Sequence, residues 1–206
     1  MGRYIGPKNR IARRFGINLG LKTNPTKVAR RLTQGPGVHG AKRKSAASGF
    51  GKQLLEKQKA KFIYGLREQQ FRRVVQEASR QTGDSGVNMM RLLETRLDNV
   101  VYRLGFAVTR AQARQFVTHG MFMVNGKKVN IPSYHVKVNE VIGWKENKQK
   151  KKIFSILAEQ QAHHEPPGWL AVDWNKREGR VLHLPGVGDG EKSFDVRLII
   201  EFYSAR

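Results

Sequence analysis

The dipeptide Asn125-Gly126 constrains this chain more than any other feature, because it is the strongest short-range signal for a two-residue hairpin turn. It follows the apolar run Met121–Val124, and Lys127 and Lys128 leave the turn at once, which sets two ammonium groups at a hairpin tip. Two helices are predicted ahead of it. Leu93, Leu97, Val100, Val101 and Leu104 recur at helical spacing and share one face, while Arg96, Asn99 and Arg103 fall on another face and are expected to look outward. Asn88 is predicted to start this helix and Gly105 to end it, since glycine readily takes the left-handed conformation that closes a helix. Thr109 restarts the chain as an N-cap, and Gln112 completes a capping box. Ala113, Phe116 and Val117 then face the core, Arg110 and Arg114 share an exposed face, and Gly120 ends the second helix. Between Arg96 and Lys137 this helix–helix–hairpin unit carries seven Lys and Arg against one acid, Asp98. A solvated surface explains any one of these cations equally well. Their recurrence on the polar side of three successive elements points instead to a polyanionic partner.

The charge of the whole chain agrees. Its 206 residues, enough for one or two domains with a real core, hold 39 Lys and Arg against 16 Asp and Glu, for a formal charge of +23. A chain so cationic repels itself unless a polyanion is bound, so nucleic acid is the leading partner and anionic membrane the runner-up. A membrane partner would want a spanning, amphipathic or lipidated segment. No long apolar run occurs, Met1-Gly2-Arg3-Tyr4 lacks the core of a signal peptide, and Gly6 stands where a myristoylation motif wants Ser or Thr. With no cysteine, disulfides and cysteine-ligated zinc are excluded and a cytoplasmic location is expected.

Residues 1–55 hold 13 Lys and Arg and no acid. Gly6-Pro7, Gly16, Gly20, Pro25 and Gly35-Pro36-Gly37 punctuate them, so this basic, irregular extension is expected to bury too little apolar surface to fold alone and to order on RNA. Arg13-Arg14 and Arg30-Arg31 are candidate phosphate clamps, and Arg3, Lys8, Arg10, Lys22 and His39 are further candidate contacts. Gly35–Gly40 matches G-x-G-x-x-G by letter, but no strand precedes it and no acid follows until Glu56. It reads as a turn whose exposed amides, with Lys42, Arg43 and Lys44, meet a phosphate backbone.

Ser48–Gln81 is predicted helical, split by Gly65. Leu54, Leu55, Phe62, Ile63, Leu66, Phe71, Val74, Val75 and Ala78 form its core stripe, with Lys52, Lys57, Lys59, Lys61, Arg67, Arg72 and Arg73 outside. Beyond the hairpin, Tyr134, Val136, Val138 and Ile142 suggest short strands, Lys145–Lys152 a lysine-rich run, and Ile153–Gln161 a linking helix. From His163 the chain is nearly neutral, with six basic and seven acidic residues; Trp169 and Trp174 read as core anchors. Phe194–Phe202 is apolar at both strand and helix periods, so neither is favoured.

The run Arg96-Leu97-Asp98-Asn99-Val100-Val101-Tyr102-Arg103-Leu104-Gly105-Phe106, then Thr109-Arg110, Ala113-Arg114-Gln115, His119-Gly120 and Val124-Asn125-Gly126, resembles the RNA-binding module of the bacterial family of small-subunit ribosomal protein four. The likeness extends to Gly6-Pro7, Pro36–Gly40, Glu56–Lys59, Tyr64-Gly65, Gln70–Arg73, Glu165–Asp173 and Leu198–Ser204. It implies an α+β fold with a mostly helical lobe, formed by residues 46–95 and 163–206. Into that lobe an αL-type helix–helix–β-hairpin RNA-binding module, residues 96–162, is inserted, and residues 1–45 extend from it. It implies a structural constituent of the small ribosomal subunit that binds the 5′ domain of its RNA early in assembly, beside neighbouring small-subunit proteins, with Lys42–Lys44 near where messenger RNA enters. Family members often carry a zinc-binding cysteine cluster near the N-terminus; here Lys8, Asn9 and Arg10 stand there, so no metal or other cofactor is expected.

No catalytic constellation is evident. The six His are scattered, His163-His164 are adjacent rather than four apart, and no H-E-x-x-H or G-x-S-x-G occurs. The few carboxylates lie mostly in exposed-looking positions, and nothing in the sequence argues for a buried pair. The alternatives to a ribosomal protein are a free-standing repressor of a messenger RNA and an RNA-modifying enzyme carrying the same module, such as a pseudouridine synthase. Against the enzyme, only 64 residues follow Ile142, whereas a catalytic domain needs on the order of 150. On this reading Arg103→Ala or Arg110→Ala lowers the salt slope of RNA binding by about one unit.

Overall fold

A computed structural model describes residues 4–42, 46–145, 164–186 and 188–204. It divides into two compact units, Met1–Gly86 with Glu191–Arg206, and Val87–Gly190.

In the first unit, Asn24 caps the short helix α2 (Pro25–Ala29) by accepting from the Lys27 N–H, and Gly16 in the left-handed region closes α1 (Lys8–Phe15). The largely irregular extension thus holds two short helices and a 3-10 turn (Val38–Ala41), with Ile11, Ala12, Leu19 and Val28 buried. Ser48 caps α3 (Gly49–Ile63), and Gly65, at φ +63°, separates it from α4 (Glu68–Arg80), as the sequence predicts. The ambiguous 194–202 stretch is helical from Val196 on, in α8 (Val196–Ser204), which buries Ile199 and Phe202 and packs on α3 and α4. Phe50 meets Phe202 and Phe71 meets Tyr203 across those contacts. Lys57, expected on the outside, is buried instead. Its ammonium donates to Glu68 at 2.6 Å and sits 4.6 Å from the centre of the Phe202 ring, so both charge and stem are used internally.

Burial pushes the Glu68 carboxyl up, but hydrogen bonds from Lys57, Lys61 and Tyr203 outweigh it and hold the group at about 2, against an ordinary 4.5. A depressed carboxylate contributes stability that is fully present above pH 4.5 and lost as pH falls towards 2. Because Glu68 is 46% exposed, water and salt screen it, and Glu68→Gln is expected to cost no more than about 1 kcal/mol at neutral pH. Urea melts should show that difference closing across the same pH window.

The second unit opens with α5 (Ser85–Glu94), which starts three residues earlier than expected, and continues as α6 (Leu97–Arg103) rather than as one helix. The break has a tertiary cause. Thr95 and Arg96 leave the helix to pair with residues 132–136: Leu97 N–H donates to Tyr134 O, Asp98 N–H to Pro132 O, and Val136 N–H to Thr95 O. Gly105, at φ +80°, ends α6. Thr109 Oγ1 accepts from the Gln112 N–H at the start of α7 (Arg110–Thr118), while Gln112 Oε1 takes the N–H of Val108, one residue before the cap.

Asn125 (φ 48°) and Gly126 (φ 77°) both have positive φ, as a type I′ turn needs, and join β1 (Phe122–Val124) to β2 (Lys127–Lys128). β3 (Val141–Trp144), β4 (Leu170–Asp173) and β5 (Glu178–Val181) complete an antiparallel sheet of order β2-β1-β3-β5-β4. β4 and β5 therefore share the module's sheet, and the chain rejoins the first unit at Glu191 rather than at residue 163. The expected strand positions also shift: Val138 is 40% exposed and lies outside the sheet. The predicted linking helix Ile153–Gln161 and most of the lysine-rich run lie outside the described residues. The core gathers Leu97, Val100, Val101 and Leu104 of α6, Phe116 and Val117 of α7, and Phe122, Ile142 and Trp144 of the sheet. Trp169 is fully buried and Trp174 packs edge-on to Phe106, so both are core anchors. Gly179 of β5 lies against the buried Leu104 side chain, and a Cβ there would overlap its methyls. Gly179→Ala is expected to destabilise by about 1–3 kcal/mol, measurable by thermal unfolding.

Candidate nucleic-acid interface

The basic face of α6 and α7 is not a row of solvated cations. Arg96 is 5% and Asn99 2% exposed, which corrects the expectation that they look outward. Two carboxylates that the sequence reading left exposed, Glu94 (0%) and Asp98 (5%), are buried beneath them. Arg103 grips Glu94 through Nε (3.0 Å) and Nη2 (2.8 Å). Asn99 Nδ2 donates to Glu94 Oε2 at 2.6 Å and to the Glu94 carbonyl at 3.0 Å, while its Oδ1 accepts from Arg110 Nε at 2.8 Å. Arg110 lies 4.4 Å from the centre of the Tyr102 ring. Asp98 is held twice, by Arg96 through both carboxylate oxygens and by Arg114 of α7 at 2.8 Å. Three guanidiniums thus meet two carboxylates, and a fourth, Arg110, meets Asn99 and the Tyr102 ring. The excess is positive; fork geometry fixes the Arg96 and Arg103 planes, and Tyr102 backs that of Arg110.

The hairpin tip stands at the other end of α7. Asn125 Oδ1 accepts from the Val141 N–H at 2.9 Å, so this residue braces the turn onto β3 rather than being loose at its tip. Lys127 and Lys128 are exposed, and the Lys128 stem crosses Gly120, which brings its ammonium to the C-terminal end of α7.

In the other unit, Arg10, Arg14, Lys22, Arg30, Arg31, His39, Lys42, Arg67, Arg72 and Arg73 are exposed and Lys8 is half-buried. Lys59 pairs with Glu56 and Lys61 with Glu68. Arg3, Arg43 and Lys44 lie outside the described residues. Arg13 is used within the fold, donating from Nε to Gln34 O (2.9 Å) and from Nη2 to Gly35 O (2.8 Å). The loop it braces closes on itself. Gly35 N–H donates to Gly40 O and Gly40 N–H to Gly37 O, so these two amides, expected to be exposed for a phosphate, are already satisfied. Lys8, Asn9, Asn18 and Lys22 surround the apolar Ala12, Leu19 and Val28, a donor set that does not fit a zinc ion. Among the described residues no group of three His, Cys, Asp or Glu side chains could hold a metal ion, and no helix is long and apolar enough to cross a membrane.

The sequence reading missed Glu94 and Tyr102. Tyr102 sits eight residues before Arg110 across a helix stop, and Glu94 nine before Arg103 across the Thr95–Arg96 break, so neither pair has helical spacing.

Comparison with known proteins places these features. Residues 3–94 match the ribosomal protein S4/S9 N-terminal domain, and residues 95–142 match the S4 domain, the two meeting at the break before α6. Curated relatives called small ribosomal subunit protein uS4 align over 99% of this chain and all of their own length. They include proteins of Roseiflexus castenholzii (47% identical), Heliobacterium modesticaldum (48%) and Shewanella loihica (46%). With both domains and whole-length likeness at that level, the chain belongs to the uS4 family of structural, non-enzymatic proteins of the small ribosomal subunit.

Proposed function

We propose that this chain binds small-subunit ribosomal RNA as a structural constituent, holding a junction of helices in the 5′ domain early in assembly. The observation that carries this reading is the α6–α7–hairpin unit. Three of its guanidiniums are held on buried carboxylates near one end of α7, and a tip with two exposed ammonium groups stands at the other. Planes held this way lose little freedom when they meet phosphates, so they recognise the shape of a folded RNA rather than its base sequence. The exposed cations Arg10, Arg14, Lys22, Arg30, Arg31, Arg67, Arg72 and Arg73 add phosphate contacts from the other unit. In this reading residues 1–45 act as a basic arm laid along the RNA. Lys42 with Arg43 and Lys44 lies near the path of messenger RNA, neighbouring small-subunit proteins complete the surroundings, and the protein resides in cytoplasmic small subunits.

Hydroxyl-radical footprinting on whole small-subunit RNA tests the placement. Protection concentrated at one helix junction of the 5′ domain is expected. Protection spread evenly over the RNA, or centred in another domain, would contradict it.

A further inference from the structure

A cleft of about 510 Å³ opens beside the Gly35–Gly40 loop, a volume in the range that takes a small ligand rather than a solvent dimple. Its construction is specific. The loop wall is held shut by the Gly35–Gly40 backbone bond and by Arg13 on the Gln34 and Gly35 carbonyls. Gly40 is required there, because a Cβ would run into the Gly35 carbonyl. Beside the apolar Leu32 and Ala41 and Gly16, the remaining lining combines three chemistries: Phe15, whose ring also meets Phe62, the neutral hydrogen-bonding residues Thr33 and Gln34, and the cations Arg14 and Lys42. A bare phosphate would need only the cations. An aromatic ring with neutral donors and acceptors is what recognises an unstacked base, whose face stacks and whose edge hydrogen-bonds.

We infer that this cleft takes a single unpaired nucleotide, with its base against Phe15 and the Thr33–Gln34 edge and its phosphate on Arg14 and Lys42. The inference deepens the RNA-binding function proposed above and rests on it for the source of the nucleotide. The braced loop supplies a preformed pocket, so an extruded base enters without first ordering its walls. The arm then contributes a point of registration, and not only charge, to an otherwise shape-driven interface.

The test uses the full chain and reads amide chemical shifts of Gly35 and Gly40 during titration with the four nucleoside 5′-monophosphates and, separately, with inorganic phosphate. At least one nucleotide should saturate these shifts at a concentration tenfold or more below that needed for phosphate. Thr33→Trp, a neutral filling change at an exposed position, should weaken that nucleotide at least tenfold. It should also weaken binding to 5′-domain RNA by about tenfold while leaving the salt slope nearly unchanged, since Arg14 and Lys42 remain in place for the RNA backbone. Equal response to phosphate and nucleotide would reduce the cleft to an anion site and overturn the inference, as would Thr33→Trp behaving as wild type in both assays. Failure of the unsubstituted chain to bind 5′-domain RNA would instead sink the ribosomal reading, while the mononucleotide titration tests the cleft separately.

Discussion

Glu94→Ala is expected to lower the unfolding free energy by about 3–5 kcal/mol, a large effect for a single change in the Val87–Gly190 unit. Glu94 is fully buried, and one carboxylate accepts from Arg103 twice and from Asn99 once. Removing it takes two carboxylate bonds from a partly buried guanidinium and leaves the buried Asn99 amide only the residue-94 carbonyl, so the loss exceeds that of a surface ion pair. It also loosens Asn99, whose Oδ1 holds Arg110 beside Tyr102. RNA affinity should therefore fall with stability, although Glu94 is inaccessible to RNA. Denaturant melts of the full chain measure the first effect. A change below about 0.5 kcal/mol would show that Glu94 does not organise the face.

The double substitution Lys127→Ala/Lys128→Ala is expected to leave stability nearly unchanged and to lower the salt slope of RNA binding by about two units. Both ammonium groups are exposed on a hairpin whose turn is set by Asn125 and Gly126, so the fold does not depend on them. Without these two ammonium groups on phosphates, affinity near physiological salt should fall on the order of tenfold to a hundredfold, uniformly across RNA sequences. Titrations at several salt concentrations check this; an unchanged slope would place the tip away from the RNA. This variant is a cleaner probe than Arg103→Ala, which removes two charged hydrogen bonds from the buried Glu94 carboxylate and so mixes a folding defect into the binding result.

The difference between these two sites is also the difference between what could and could not be read from the sequence. The hairpin and the helix stops at Gly65, Gly105 and Gly120 were legible because each rests on local backbone conformation: those glycines, and both residues of the turn, have positive φ. The Thr95–Arg96 break was not legible, because it is imposed by pairing with residues 132–136, far along the chain. That single break misplaced the face. Arg96, Asn99 and Arg103 were projected outward from a continuous helix, whereas the interruption turns them onto Glu94 and Asp98. Lys57 failed for a related reason: its partners Glu68 and Phe202 lie in α4 and α8, which helical periodicity in α3 does not reveal. The assignment of 194–202 waited on tertiary contact as well, since its apolar pattern suited both periods and packing on α3 settled it.

Equilibrium binding of the full chain to the isolated 5′ domain of small-subunit ribosomal RNA, over a salt series and against transfer RNA as competitor, tests the central claim most directly. The account predicts binding that survives the competitor and weakens steeply with salt. Equal affinity for the two RNAs would mean that the +23 charge alone is acting and would contradict the account.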